Sequence, residues 1–535
     1  MVEARKGISC CKHVVLPVLV VLIAAVIIFL VKDKAHPSPV PFIPSSTPSA
    51  APTPMVPTLE NGTYGAALAT SLQFLQIQKA GKLVGNTIAW RGDSALSDGK
   101  GAGLDLSKGL YDAGDHMKFG FPMAFTGTVL SWTILEYKQL LTGYGKLNLA
   151  LDNLRWITDY LVNAHSADNV LCIQVGDPKL DHSCWDRPES MTEERPVLFI
   201  NKTSPGSDVA GETAAALAAA SLVFKSSNAT YSSSLLKHAK QLFDFADKYR
   251  GIYSYTFPDL ANYYNSSDYH DELLWAAAWL YHATGDMTYL QYTTDNGQKF
   301  KGYGDPTYFS WDDKRAGTQV LLSRVQLLSS DSLSNDINTV LGSYRSTAES
   351  VMCVLVPGTP ISTTSRTEGG LLWIQDWNSL QHTVGSSFLA TLYSNYMYAV
   401  QKTKISCSGT IVKADDIRQF ADSQVKYILG SNPINMSYLV GYGSVYPKKV
   451  HHRGASIPAN QNPSCSDRTW LVSSDPNPNI ATGALVGGPS LSDSYNDARD
   501  NALQGEPTTT SSALFTGLLS GLDSNTNYTT LTSFT

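Results

Sequence analysis

The chain has 535 residues, 43% hydrophobic and 16% charged, a balance that builds a packed core and excludes a disordered polymer. Its formal net charge is −6, and no Lys/Arg block is large enough to track a phosphate backbone, which excludes a nucleic-acid partner. At ~150 residues per domain the length alone suggests about three domains, although large barrels run longer as one unit.

Residues 1–13 form a short tail carrying Arg5, Lys6 and Lys12. Val14 to Val31 is an apolar run without a charge, and at ~1.5 Å per residue it spans about 27 Å as a helix, enough to cross a bilayer. A cleaved signal peptide has an apolar region of ~7–15 residues followed by small residues; here Lys32-Asp33-Lys34 follows. The expectation is a transmembrane anchor at 14–31 with a cytoplasmic tail, because more basic residues precede the run than follow it. The protein would then be a single-pass type II membrane protein with its body lumenal or extracellular; secretion after cleavage is the alternative. Six N-x-S/T acceptors, at Asn61, Asn201, Asn228, Asn265, Asn435 and Asn527, agree with a secretory route.

Eight prolines between Ala35 and Thr58 alternate with Ser, Thr and Ala, a composition that favours extended polyproline II and makes residues 32–58 a stalk. Cys10 and Cys11 sit just before the apolar run. The other five cysteines are scattered without metal-site spacing, so at most two disulfides form among them, and Cys172 with Cys184 is the pair closest in sequence.

Residues 59–535 read as one domain, with no second linker and no exact repeat. Leu68, Leu72 and Leu75 recur at helix spacing, as do Leu130, Ile134, Tyr137 and Leu141, and Leu235, Ala239, Leu242, Ala246 and Tyr249. Similar runs lie near 151–161, 209–222, 272–282, 319–328, 388–400 and 417–429. The pattern predicts about a dozen helices and little strand. Long loops rich in Gly, Pro, Trp and Tyr separate them, at roughly 85–125, 170–208, 250–270, 300–316, 355–378 and 430–511; structureless segments of this length are usually functional. The predicted fold is an all-α toroid whose active face is built by loops.

Within those loops, Asp112 and Asp115 stand three residues apart around Gly114. Glycoside hydrolysis by inversion needs one carboxylic acid for the leaving oxygen and one carboxylate to activate water; a turn or a calcium loop would give the same spacing. Glu506, in a loop of small residues that also holds Asp497, suits a general acid if burial keeps it neutral; otherwise it is a solvated carboxylate. His451, His452 and Arg453 lie between the two stretches. The His pair has no nearby carboxylate or Cys to complete a zinc spacing. Trp90, Trp185, Tyr263, Tyr264, Trp311, Trp373 and Trp377 offer flat apolar faces for sugar rings, or are core.

The chain resembles glycoside hydrolase family 9, the plant endoglucanase group in particular. The likeness runs through Trp90-Arg91-Gly92-Asp93-Ser94, the stretch from Tyr111 to Met123, Gln174-Val175-Gly176-Asp177, the stretch from Asp271 to Trp279, and Phe309-Ser310-Trp311-Asp312. It continues through Tyr427 to Pro433, His451 to Pro458, and Pro476-Asn477-Pro478-Asn479. The resemblance implies an (α/α)6 barrel, hydrolysis of β-1,4-glucan and inversion at the anomeric carbon. By the same resemblance Asp115 is the catalytic base, Asp112 its partner in holding the attacking water, and Glu506 the general acid, with His451 and Asp497 also in the catalytic group. Arg453, His182, Trp185, Tyr264 and Trp377 fall where the family meets sugar. No cofactor is required, but Ser267, Asp268, Asp271, Glu272 and Asp312 match a calcium site of some members; Asp271 and Glu272 equally suit a helix N-terminus.

The chain departs from the pattern at Ala502, where the family usually has an aromatic, and at Ser511, Ser512 and Val445. These departures bear on substrate preference and turnover rather than on reaction class. The alternative readings are a catalytically impaired glucan-binding protein at the membrane and a hydrolase of another cell-wall polysaccharide. Nothing in the sequence specifies an oligomer.

Overall fold

The computed structural model describes residues 63–329, 332–523, 525–526 and 534. The expected anchor at Val14–Val31, the stalk at 32–58, Cys10 and Cys11, and the acceptors Asn61 and Asn527 lie outside them.

Twelve helices of ten or more residues occur among the described residues: α1 Gly65–Ile77, α2 Gly120–Gly143, α3 Leu147–Ala164, α4 Ser207–Phe224, α5 Ala229–Lys248, α6 His270–Thr284, α7 Met287–Asn296, α8 Arg315–Ser329, α9 Asn335–Leu355, α10 Leu380–Ala399, α11 Ala414–Ile428 and α12 Thr509–Leu522. Two kinds alternate. Every residue of α4 and of α12 is buried, whereas α5 buries the stripe Leu235, Ala239, Leu242 and Ala246 and leaves Lys237 and Lys240 in solvent, the pattern of a helix with one face on a core. The even-numbered helices form an inner ring, α2 against α4, then α6, α8, α10, α12 and back to α2, and the odd-numbered ones pack outside it. This is the expected (α/α)6 arrangement. The ring closes tightly because its walls carry small residues: a Cβ added at Gly211 of α4 would come within 2.9 Å of the Cβ of Glu272 in α6.

Trp132, Trp275, Trp279 and Phe388 meet inside the ring with centroids 5.5–5.7 Å apart, in the tilted and edge-on geometry that aromatic quadrupoles favour. Among the described residues α4 is the one helix long and apolar enough to cross a membrane, and it is wholly buried as a ring wall.

Two small sheets stand outside the helices, the first of them in segments read as loop. β1 Lys118–Phe119, β2 Val170–Val175 and β3 Val197–Asn201 form an antiparallel sheet in that order, and β4 Lys404–Cys407 pairs with β5 Thr410–Lys413. Residues 171–175 are buried without alternation, so β2 has no period-two pattern to read. The disulfides are Cys184–Cys465 and Cys353–Cys407, bridging 281 and 54 residues. Cys172 is a buried free thiol in β2. Nearness in sequence therefore misleads here: the fold, not the spacing, chooses the pairs.

Candidate active site

Three distant segments lock together at Gly114. Its N–H donates to Glu506 Oε1 at 3.1 Å, its carbonyl accepts from the Arg453 N–H at 3.0 Å, and the neighbouring Asp112 carbonyl accepts from the N–H of Thr509 at the start of α12. A Cβ at Gly114 would lie 2.0 Å from the His451 carbonyl oxygen, so only glycine lets the loops approach this closely.

The lock gathers Asp112, Asp115 and Glu506 on one cleft of about 480 Å³, and their environments pull them apart. Burial, then the Asp115 charge, push Glu506 up to about 8, so it holds its proton at neutral pH. Burial also works against Asp115, but the His182 hydrogen bond and the His182 and Arg453 charges outweigh it and keep this carboxylate below its ordinary range. His182 Nε2 donates to Asp115 Oδ2 at 3.2 Å. Burial opposes the charge of His182, yet Asp115 and Asp181 together raise its pKa. Asp112 is lifted well above the usual carboxylate range by burial and by Asp115, while its Oδ2 accepts from the Tyr264 hydroxyl. Unlike protonation of neighbouring carboxyls marks acid/base assignment.

His451 is half-buried and pulled down to about 4, mainly by desolvation, so it is neutral. Its Nδ1 donates to the Arg499 carbonyl at 2.6 Å, and Trp185 packs edge-on to its ring at 5.0 Å. The other ring nitrogen is left as an acceptor. Arg453 is fixed by Asp181, whose side chain accepts from Nη2 at 2.7 Å. Trp185, Tyr264 and Trp377 all line the cleft. Trp377 is 54% exposed and Trp185 only 3%, an open platform facing a fixed wall. The Cys184–Cys465 bridge and the bond from Trp185 N–H to the Cys465 carbonyl, 2.8 Å, hold that wall.

Tyr263 and Trp311 also line the cleft, and other candidates fall elsewhere. Asp497 is not on the cleft; its two oxygens accept from the N–H groups of Lys448 and Lys449 at 2.8 and 3.0 Å, bracing the strand of loop that delivers His451. His452 turns away from His451, donating from Nε2 to Gln78 at 2.9 Å and accepting at Nδ1 from the Ala455 N–H, so the two do not pair on a metal. Trp90 packs against His452, and Trp373 donates to the Pro489 carbonyl. Ala502 does line the cleft, whereas Ser511 and Ser512 are buried in α12 and Val445 is exposed.

Ser267, Asp268, Asp271, Glu272 and Asp312 do not fit one calcium site as a set. Glu272 Oε1 lies 3.0 Å from the buried ammonium of Lys314, and Asp271 Oδ2 accepts from the Lys314 N–H, so a cation of the chain itself occupies the acidic start of α6. Asp268 is turned to His270 and Asp312 to the Ser267 N–H.

Sequence reasoning missed Asp181, the carboxylate that fixes Arg453 and stands 3.8 Å from His182. Its only signal was its place in a short helix, Pro178–Ser183, capped by Asp177 with Pro178 in the first position. It also missed Gln375, Arg468 and Leu471, brought to the cleft from separate loops.

The family model for glycosyl hydrolase family 9 matches residues 64–519. Endoglucanase 24 of Oryza sativa subsp. japonica is 57% identical over 524 residues, covering 96% of this chain and 97% of the relative. Endoglucanase 10 of Arabidopsis thaliana is 58% identical over 472 residues, 88% of this chain and 89% of the relative. Among solved structures, the endoglucanase of the termite Nasutitermes takasagoensis superposes with a TM-score of 0.77 at 39% identity, covering 86% of this chain and 98% of that one. Endoglucanase CelQ of Clostridium thermocellum complexed with cellotetraose gives 0.70 at 30% identity, covering 89% and 72%.

Proposed function

The chain belongs to glycosyl hydrolase family 9, and from that premise we propose that it is an inverting endo-β-1,4-glucanase. The observation that carries the reading is one buried carboxyl held protonated, Glu506, and one held ionised, Asp115, on the same open cleft. Glu506 delivers its proton to the glycosidic oxygen as the bond to the anomeric carbon breaks. Asp115 takes a proton from the water that attacks that carbon from the opposite face, and Asp112 beside it helps to hold this water. Trp185 and Trp377 offer apolar faces to the rings, and His182, His451 and Arg453 offer hydrogen bonds to hydroxyls. An aromatic-walled cleft open to solvent suits the interior of a neutral polymer.

On soluble carboxymethylcellulose, viscosity should fall well before reducing ends accumulate. Binding without new reducing ends would mean a glucan-binding protein, and cleavage confined to another polysaccharide would move the substrate class. The pH profile of kcat/KM follows from the two states. Activity needs Glu506 protonated, so the alkaline limb should fall through about 8. It needs Asp115 ionised, so the acid limb should fall only below the ordinary aspartate value of 3.8. A plateau lost below neutral pH on its alkaline side would contradict the assignment of Glu506.

The same reading places this body, residues 59–535, on the lumenal or extracellular side of a membrane anchored by Val14–Val31. Intact vesicles should protect it from added protease. A soluble mature protein with a new N-terminus near residue 35 would instead mark a cleaved signal.

A further inference from the structure

Immediately after Asp115, the His116 side chain is not on the cleft and joins a second polar cluster. There His116, Asp186 and Glu193 each bring a ligand-type atom within 4.8 Å of the others, and His116 Nδ1 stands 3.8 Å from Asp186 Oδ1. His116 and Asp186 are 2% and 1% exposed. Neither nitrogen of His116, neither carboxylate oxygen of Asp186 nor Oε1 of Glu193 has a hydrogen-bond partner in the protein. Buried polar atoms are almost always satisfied, so three side chains that gather unpartnered atoms within 4.8 Å of one another call for an occupant.

Charge says which kind. The guanidinium groups nearby are paired with other carboxylates, Arg195 with Asp98 and Arg91 and Arg187 with Glu189, while Arg453 pairs with Asp181 through Nη2 and keeps Nη1 unpartnered. Among the described residues neither Asp186 nor Glu193 forms an ion pair with a Lys or Arg, and the charge of Arg453 only partly offsets that of Asp186. We propose that His116, Asp186 and Glu193 bind a divalent transition cation of the Zn²⁺ class. One imidazole and two carboxylates are a set that such an ion accepts and that Ca²⁺, which takes oxygen ligands, does not favour. Bonds of ~2.0 Å in a tetrahedron put ligand atoms ~3.3 Å apart; the His116–Asp186 pair at 3.8 Å is close to this, and the partly exposed Glu193 would have to move in from within 4.8 Å. Glu193 is partly exposed and gives the ion its way in. The ion would join the Asp112–Asp115 loop to the 185–193 segment that also supplies Trp185.

The full chain, stripped with EDTA, should bind one equivalent of Zn²⁺ in a calorimetric titration with ZnCl₂ alone. Its melting temperature should rise by about 2–3 °C at a hundredfold excess over Kd. Co²⁺ should give the visible absorption of a four-coordinate site. His116→Gln and Asp186→Asn should abolish all three signals, and Glu193→Gln, at the exposed edge where the fold is not at risk, should weaken binding at least tenfold. No saturable binding to the stripped chain would overturn the proposal and leave the cluster to buried water bridging to the free Nη1 of Arg453. Equal binding by the wild type and Glu193→Gln would overturn it too.

Discussion

Replacing Asp115 by Asn or Glu506 by Gln should each lower kcat on soluble β-1,4-glucan by about 10²–10⁴-fold, the usual worth of a positioned acid or base. Both changes keep the shape of the lock. The amide introduced by Glu506→Gln still offers a side-chain oxygen to the Gly114 N–H, and the one introduced by Asp115→Asn keeps an oxygen for the Ala113 N–H. Because Glu506 is buried and lies close to the Asp115 charge, Glu506→Gln should not melt below the wild type; Asp115→Asn takes a favourable charge from His182 and Arg453 and should melt lower while still folding. The wild-type product should carry the α configuration first, followed by proton NMR before mutarotation mixes the anomers. Near-normal turnover in both variants, or a β product first, would show that the two roles belong to other groups.

The largest effect on stability is expected from Lys314→Met. The Lys314 ammonium is wholly buried, 3.0 Å from Glu272 Oε1 and 3.4 Å from Glu212 Oε2, and it also donates to the Trp311 carbonyl. Burial pushes both glutamates up even with that partner present. Without it two carboxylates face each other between α4 and α6, and losing one side of a buried ionic set costs about 3–5 kcal/mol. Urea unfolding at pH 7 measures this. The sign of its pH dependence is fixed: glutamates whose folded pKa lies above the unfolded value are stabilising when protonated and lose that stability as pH rises through the folded value. The deficit of the variant should therefore shrink in acid. Adding Glu212→Gln and Glu272→Gln should restore much of the loss; a triple variant no better than Lys314→Met would locate the cost in packing instead.

The helical ring was legible wherever one face was apolar at regular spacing, as in α5, or where a long segment was apolar throughout, as in α4. The runs around α7, α9 and α12 were passed over. α12 opens on Thr509, Thr510, Ser511 and Ser512, residues with weak helix propensity that burial between α2 and α10 overrides. Asp112 and Asp115 stood out because they sit in a long recognisable motif, whereas Glu506, in a loop of small residues, was assigned by the resemblance. Asp181 did not stand out, since its importance lies in partners 272 residues away. For the same reason the pairing of Cys184 with Cys465 and the commitment of Glu272 to Lys314 belong to the folded chain and leave no local trace.

The order in which the ring is built bears on how the protein is made. α2 rests on α4 along one flank, but its other flank waits for α12, and α1 waits with it: the Tyr64 N–H is received by the Asp523 carboxylate. At about 5–20 residues per second, the stretch from Gly143 to Leu522 takes roughly 20–80 s to emerge. For that time α2 presents a bare apolar edge, joined by α10 over roughly the last 6–25 s, so the nascent chain is a natural client for chaperones. Glu506 arrives three residues before α12. Barrel closure and the assembly of the acid/base pair are thus one late event, and a ribosome-bound chain cannot hydrolyse glycan before its last wall is in place.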